Sequence, residues 1–146
     1  MSVKPIFFAL DGKHLDNFSR ELEILKGNIY GVKVGLEMFT SEGPSSVEKL
    51  KKDGWNVFLD LKLHDIPNTV QAATISAGDI GADYLTIHIA SGKEALLAAK
   101  ESKSENLKLL GVSTALTSKA YSPEISQKVY EEFLLAKESK IDGVIC

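Results

Sequence analysis

Hydrophobic and polar positions divide this chain into strand-like and helix-like stretches that alternate from end to end. The strand-like stretches are short, nearly continuous apolar runs. They predict six strands: Pro5–Leu10, Ile29–Val34, Asn56–Leu61, Tyr84–Ile89, Lys108–Val112 and Gly143–Cys146. The helix-like stretches place their apolar residues on one stripe. They predict five helices: His14–Lys26, Ser45–Lys52, Pro67–Gly81, Gly92–Lys103 and Pro123–Lys140.

This alternation predicts a parallel sheet covered by helices, because parallel strands need long crossover connections. An open doubly wound sheet and a closed (β/α)8 barrel both fit the pattern. No Gly-x-Gly-x-x-Gly follows the first strand, which weakens the dinucleotide-binding form of the open sheet. A full barrel takes about 250 residues. A barrel would therefore be incomplete at Cys146, whereas a doubly wound sheet could be complete there.

Composition indicates an ordinary globular domain. The 146 residues predict a single domain, residues 1–146, with 44% hydrophobic and 25% charged side chains. A formal net charge of −3 provides no electrostatic footprint for nucleic acid or an anionic membrane. The one cysteine, Cys146, excludes an internal disulfide framework. Neither a secretory signal nor an apolar run of about 18 residues is visible, so we expect a cytoplasmic protein.

Charged residues interrupt the apolar strands at their carboxyl ends. Asp11 follows the first strand, Lys33 lies in the second, and Asp60 and Lys62 lie at the end of the third. The two-residue period of a strand puts Asp60 and Lys62 on one face. Parallel α/β proteins place their sites at this edge of the sheet. The sequence therefore predicts a functional array of alternating charge.

Each charge also has a possible structural role. Asp11 suits a turn, Lys33 could extend its ammonium group out of the strand end, and Asp65 could cap the following helix. Asp60 and Lys62 are harder to explain in this way, because their shared face is either barrel interior or covered by helices.

The residue types of the array limit its chemistry. Lysines flanked by carboxylates are favoured in the charged form, which suits proton donors or anion holders rather than Schiff-base nucleophiles. A Mg²⁺ site built on Asp60 and Asp65 is the competing use. The interleaved lysines argue against that site, because they would repel a cation.

Other polar residues are less informative. His88 ends the fourth strand and is equally consistent with a hydrogen-bonded structural residue and with a catalyst, whereas His14 and His64 lack metal-ligand spacing. Hydroxyl groups after the fifth strand could bind a polar ligand or cap the next turn: Thr114, Thr117 and Ser118.

The stretch DLKLHDIPNT, residues 60–69, resembles the orotidine 5′-phosphate decarboxylase family, which carries Asp-x-Lys-x-x-Asp and Ile-Pro-x-Thr at the third strand of a (β/α)8 barrel. FALD at the first strand, VKVGLEMF at the second and LTS after the fifth resemble the same family in the same order. IHIASG fits the family's His-Ala-x-Gly more loosely. The resemblance implies an incomplete (β/α)8 barrel with six strands and five helices.

The resemblance also implies an activity. It is that of a cofactor-free and metal-free carboxy-lyase that converts orotidine 5′-monophosphate to uridine 5′-monophosphate and CO2, the last step of de novo UMP synthesis. By position, Lys62 resembles the acid that protonates C6 of the pyrimidine, and Asp60 and Asp65 the carboxylates beside the departing carboxyl group. Lys33 and Asp11 resemble their partners, which also contact the ribose hydroxyls.

Further substrate contacts follow from the same resemblance. Thr117 corresponds to the residue that meets the pyrimidine. Family active sites lie at a homodimer interface, and the counterparts of Asp65 and Thr69 reach into the neighbouring site. Ile66, in the same segment, is a further candidate for substrate binding.

The chain also departs from the family pattern. The phosphate-binding elements expected after the seventh and eighth strands, with their arginine, are absent from the sequence. We therefore expect the N-terminal portion of a barrel, weakly active or inactive by itself. Metal-dependent 3-keto-gulonate-phosphate decarboxylases and hexulose-phosphate synthases share the core motif and remain an alternative. A non-catalytic phospho-ligand binding module and a structural half-barrel that pairs with another chain are two others.

Overall fold

Six parallel strands form one sheet in the computed structural model, which describes residues 4–117 and 122–145. The strands are β1 (Lys4–Leu10), β2 (Ile29–Gly35), β3 (Asn56–Leu63), β4 (Tyr84–His88), β5 (Lys108–Val112) and β6 (Gly143–Ile145). Their order in the sheet is their order in the chain, and every neighbouring pair is parallel. A doubly wound sheet reverses its strand order at a switch point. The sheet is therefore a curled part of a (β/α)8 barrel, as predicted.

Six α-helices connect these strands within the described residues. They are α1 (Ser19–Leu25), α2 (Leu36–Glu42), α3 (Pro44–Lys52), α4 (Pro67–Asp79), α5 (Lys93–Ser102) and α6 (Pro123–Glu138). The predicted count of five is wrong, because α2 was not expected. It spans only seven residues and buries only Met38, so its apolar period is too short to recognise. The predicted first helix, His14–Lys26, is instead a 3-10 turn at Leu15–Phe18 followed by α1.

The hydrophobic core lies between the sheet and these helices. Val32 and Val34 of β2, Leu59 of β3 and Leu85 of β4 are fully buried there. The opposite face of the sheet carries a group of aromatic rings near the amino ends of the strands. In this group Phe7 makes edge-to-face contacts at centroid distances of 5.3 to 5.5 Å with three rings: Tyr30, Phe58 and Tyr84. The two faces separate because successive side chains of a strand point in opposite directions.

Candidate active site

The carboxyl ends of β1, β2 and β3 bring Asp11, Lys33 and Asp60 together. The β2–β3 register pairs Gly35 with Asp60, so the side chain of Lys33 lies beside that strand end. Lys33 Nζ is 3.4 Å from Asp11 Oδ1 and 3.7 Å from Asp60 Oδ2. The ammonium group of Lys33 therefore lies between two carboxylates, as an alternating array requires.

Lys62 completes the array through the same carboxylate oxygen. Its Nζ donates to Asp60 Oδ2 at 2.7 Å, so this oxygen faces two ammonium groups. The Asp60 side chain is only 11% exposed, while that of Lys62 is 39% exposed. A nearly buried carboxylate thus holds a more accessible ammonium group at the rim of the sheet.

Lys62 reaches this position through an irregular backbone. Its φ is 51°, in the left-handed region that is uncommon for residues other than glycine. The β3–β4 ladder shifts register between Leu59 and Leu63 at the same place. The Lys62 N–H donates to Thr86 Oγ1 at 2.8 Å, and Thr86 Oγ1 donates to Asp60 Oδ1 at 2.9 Å. The strand period alone predicted the shared face of Asp60 and Lys62 but neither this bulge nor the role of Thr86.

A cavity of about 150 Å³ lies against the array. Besides the four charged residues, its lining includes the end of β2 and the start of α2: Gly35, Leu36, Glu37 and Met38. Sequence reasoning missed these α2 residues, although VKVGLEMF was already recognised as a family-like stretch. The helix that the periodicity failed to predict thus forms part of the candidate site.

The remaining predicted residues lie outside the array. Asp65, Ile66 and Thr69 are exposed around the start of α4, and Asp65 Oδ1 accepts the Ile66 N–H at 2.7 Å. Within residues 4–117 and 122–145, Asp65 forms no ion pair with either lysine of the array. Asp65 does not cap α4 either, since the N-cap is Ile66 and lacks a side-chain cap. Thr117 ends the 3-10 turn Thr114–Thr117, but its side chain and Ser118 fall outside the described residues.

Two histidines lie next to the array. The rings of His64 and His88 are 5.1 Å apart, at the ends of β3 and β4. Burial lowers the pKa of His88, and the neighbouring His64 and Lys62 lower it further, whereas the carboxylate of Glu132 opposes this shift. His88 is therefore favoured as a neutral imidazole at neutral pH. His14 lies elsewhere, with its Nδ1 3.4 Å from Glu42 Oε1.

The described side chains offer no cluster of three or more His, Cys, Asp or Glu residues that could hold a metal ion. Asp60, one of the two carboxylates of the competing Mg²⁺ interpretation, directs Oδ2 to two lysines and Oδ1 to Thr86. The other half, Asp65, hydrogen-bonds to the backbone of the next residue. In the part of the chain that the structure describes, no helix has the length and apolarity to span a membrane.

Comparison with known proteins gives one consistent result. The model of the orotidine 5′-phosphate decarboxylase / HUMPS family matches residues 4–146. Orotidine 5′-phosphate decarboxylase from Halalkalibacterium halodurans is 38% identical over 98% of this chain, which spans 67% of that relative. The enzyme of the same name from Listeria monocytogenes is 37% identical over 98% of the chain, again with 67% of its own length covered.

Solved structures agree with the sequence comparison. The crystal structure of orotidine 5′-phosphate decarboxylase from Lactobacillus acidophilus has a TM-score of 0.83 and 31% identity, covering 98% of this chain and 71% of that one. The crystal structure of the Methanocaldococcus jannaschii enzyme has a TM-score of 0.80 and 23% identity, and the match covers 99% of this chain and 68% of that one. At this identity the match supports the fold alone. This chain belongs to the orotidine 5′-phosphate decarboxylase / HUMPS family.

Proposed function

We propose that this chain decarboxylates orotidine 5′-monophosphate to uridine 5′-monophosphate and CO2. The observation that carries the proposal is the array itself: the Asp60 carboxylate with the ammonium groups of Lys62 and Lys33 at 2.7 and 3.7 Å. Family membership supplies the substrate class, and the array supplies groups suited to the reaction. No cofactor is part of the proposal.

Lys62 acts as the proton donor in this mechanism. Loss of CO2 from C6 of the pyrimidine leaves a vinyl-type carbanion, which is very unstable in water. A preorganised ammonium group next to C6 stabilises the developing negative charge and then donates its proton to that carbon. Asp60 holds the ammonium group in place at 2.7 Å, so little reorganisation is needed as the charge develops.

Asp60 also acts on the substrate side. Its carboxylate lies beside the departing carboxyl group, together with Asp65 from a second subunit. Carboxylates held together by lysines press against the substrate anion, a repulsion that is relieved as CO2 leaves. Lys33 and Asp11 complete the array and bind the ribose hydroxyls. Binding energy from these remote parts of the substrate is then used in the transition state.

The exposed segment at the start of α4 supports a homodimer. Ile66 is 66% exposed, and Asp65 and Thr69 beside it are exposed as well. A large apolar side chain flanked by polar groups suits a surface that another subunit covers. We propose that Asp65, Ile66 and Thr69 enter the neighbouring active site, and that Thr117 contacts the pyrimidine.

The activity is tested by release of labelled CO2 from carboxyl-labelled orotidine 5′-monophosphate, with the protein in excess over substrate. We expect release that exceeds the rate in buffer and that ends in uridine 5′-monophosphate. Release no faster than that given by Lys62→Ala protein would contradict the proposed function.

Multiple turnover by purified residues 1–146 is expected to be weak. The only arginine of the sequence, Arg20, lies on α1 rather than at the cavity. Among the residues that the structure describes, the cavity lining supplies Lys33 and Lys62 as its cations. The substrate phosphate then lacks a dedicated partner, and its binding energy is not available to the transition state. Steady-state assays of the purified chain measure this directly, and robust turnover would refute the expectation.

Chelation separates this proposal from the metal-dependent sugar-phosphate enzymes of the same superfamily. We expect the rate of CO2 release to be the same before and after dialysis against EDTA, because the array's cations are lysines. A loss of activity that Mg²⁺ restores would favour the alternative. A known metal-dependent phosphatase, dialysed in parallel, controls for the efficiency of chelation.

A further inference from the structure

The β3–β4 ladder leaves one residue of β4 facing three residues of β3. Backbone partners are Phe58 with Tyr84 and Leu59 with Leu85, and pairing resumes only at Leu63 with Ile87. Residues 60–62 therefore bulge opposite a single residue, Thr86. Both Asp60 and Lys62 lie within this bulge, so their geometry depends on what replaces the missing ladder bonds.

The side chain of Thr86 takes the place of those bonds. Its Oγ1 accepts the Lys62 N–H at 2.8 Å and donates to Asp60 Oδ1 at 2.9 Å. A hydroxyl group has one proton, so donation to the carboxylate fixes its orientation. Thr86 is fully buried, which shields both bonds from competing water. The hydroxyl links the backbone of Lys62 to the carboxylate that holds its ammonium group.

This link acts at the two points where the pair is most easily disturbed. The backbone of Lys62 is left-handed, with φ at 51°, a conformation that persists only when its surroundings hold it. Among the described residues, Asp60 Oδ1 has Thr86 as its hydrogen-bond partner, whereas Oδ2 faces the two lysines. Without the hydroxyl, the carboxylate can rotate and the backbone of Lys62 can relax.

We infer that Thr86 is a positioning residue of the proposed decarboxylase site, fixing Asp60 and Lys62 relative to each other through its hydroxyl group. The inference rests on the proposed function for its effect on rate, while the positioning itself is independent of turnover. Thr86 touches neither substrate nor the reacting carbon in this scheme.

Three variants test the inference. Thr86→Val keeps the shape and removes the hydroxyl, and Thr86→Ser keeps the hydroxyl and removes the methyl group. Thr74→Val is the matched control: Thr74 is also fully buried, but its hydroxyl donates only to the Val70 carbonyl on α4. Each is examined by amide hydrogen exchange in ¹⁵N-labelled protein, by thermal unfolding and by single-turnover CO2 release.

In Thr86→Val we expect exchange of the Lys62 amide to accelerate about tenfold or more relative to the Leu59 amide, since its acceptor is lost. The single-turnover rate at saturating substrate should fall about 10- to 100-fold with little change in half-saturation, as for a misplaced catalytic group. Thr86→Ser should keep most of the parent's protection of the Lys62 amide and most of its single-turnover rate. Thr74→Val should lower the unfolding temperature while leaving Lys62 exchange and the rate unchanged.

A measurement on the unsubstituted chain serves if Thr86→Val does not fold. The Thr86 hydroxyl proton should give a slowly exchanging resonance with a nuclear Overhauser effect to the Lys62 amide proton, and absence of that signal would overturn the inference. Equal Lys62 exchange in the parent and Thr86→Val would overturn it as well, as would Thr86→Ser failing to restore the parent behaviour. A parent chain that releases no CO2 bears on the proposed function alone, and the exchange results still decide the role of Thr86.

Discussion

Lys62→Ala is expected to lower the single-turnover rate of CO2 release by about 10²- to 10⁴-fold, the range typical of a lost general acid. The substitution removes the proposed proton donor and the closer of the two ammonium groups at Asp60 Oδ2, leaving Lys33 at 3.7 Å. Affinity for uridine 5′-monophosphate should change far less, since the product no longer carries the carboxyl group. The measurements are rapid-mixing release of labelled CO2 and calorimetric titration with the product.

Lys100→Ala is the matched control for this substitution. Lys100 Nζ lies 2.7 Å from Asp142 Oδ1, the same separation as in the Lys62–Asp60 pair, but Asp142 directly precedes β6 at the opposite edge of the sheet. Its loss should reduce stability slightly and leave the rate unchanged. If Lys62→Ala releases CO2 as fast as the parent, the chain is not a decarboxylase with this proton donor. Loss of product affinity in step with the rate would favour a phospho-ligand binding role for the array.

The strand positions and the charged residues at the strand ends could be predicted from the sequence for the same physical reason. A strand buried on both faces reads as a continuous apolar run, so a charge at its end stands out. The predicted Lys108–Val112 matches β5 in both bounds, and Asn56–Leu61 misses only the last two residues of β3. Asp11, Lys33, Asp60 and Lys62 were thereby predicted to share one edge, where the structure places them.

The irregular features of the structure could not be predicted from the sequence pattern. The left-handed backbone of Lys62 arises from the β3–β4 register shift, a tertiary event that leaves no mark on the local pattern. Thr86 reads as an ordinary strand threonine until its two partners from β3 are known. Helix α2 was missed because its seven residues are too few for a helical period to emerge.

Gly31→Ala is expected to destabilise the fold by about 3 kcal/mol, at the upper end of typical overpacking costs. A β-carbon at residue 31 would overlap the Asn56 carbonyl oxygen and would lie 2.8 Å from a ring carbon of Phe7. The carbonyl belongs to β3 and cannot rotate away, so β2 and β3 must separate locally. Thermal unfolding should shift downward by about 10 °C for a chain of this size. Lys33 lies two residues further along β2, so its 3.7 Å approach to Asp60 should lengthen as well.

Gly35→Ala, in the same strand, is the control for Gly31→Ala. It distinguishes the effect of the close backbone approach at residue 31 from the general effect of replacing a glycine in a strand. The nearest atom to a β-carbon at residue 35 is Lys33 Nζ at 3.9 Å, an ordinary contact, and the φ of Gly35 is −93°, which alanine adopts without strain. Its unfolding temperature should therefore remain near that of the parent, measured by circular dichroism in the same buffer. Equal losses in the two variants would mean that the Gly31–Asn56 approach does not limit the packing of β2 on β3. A loss of stability confined to Gly31→Ala would mean that the Gly31–Asn56 contact sets the spacing of β2 and β3, and with it the distance from Lys33 to Asp60. Within these two strands, no other glycine lies this close to a neighbouring backbone.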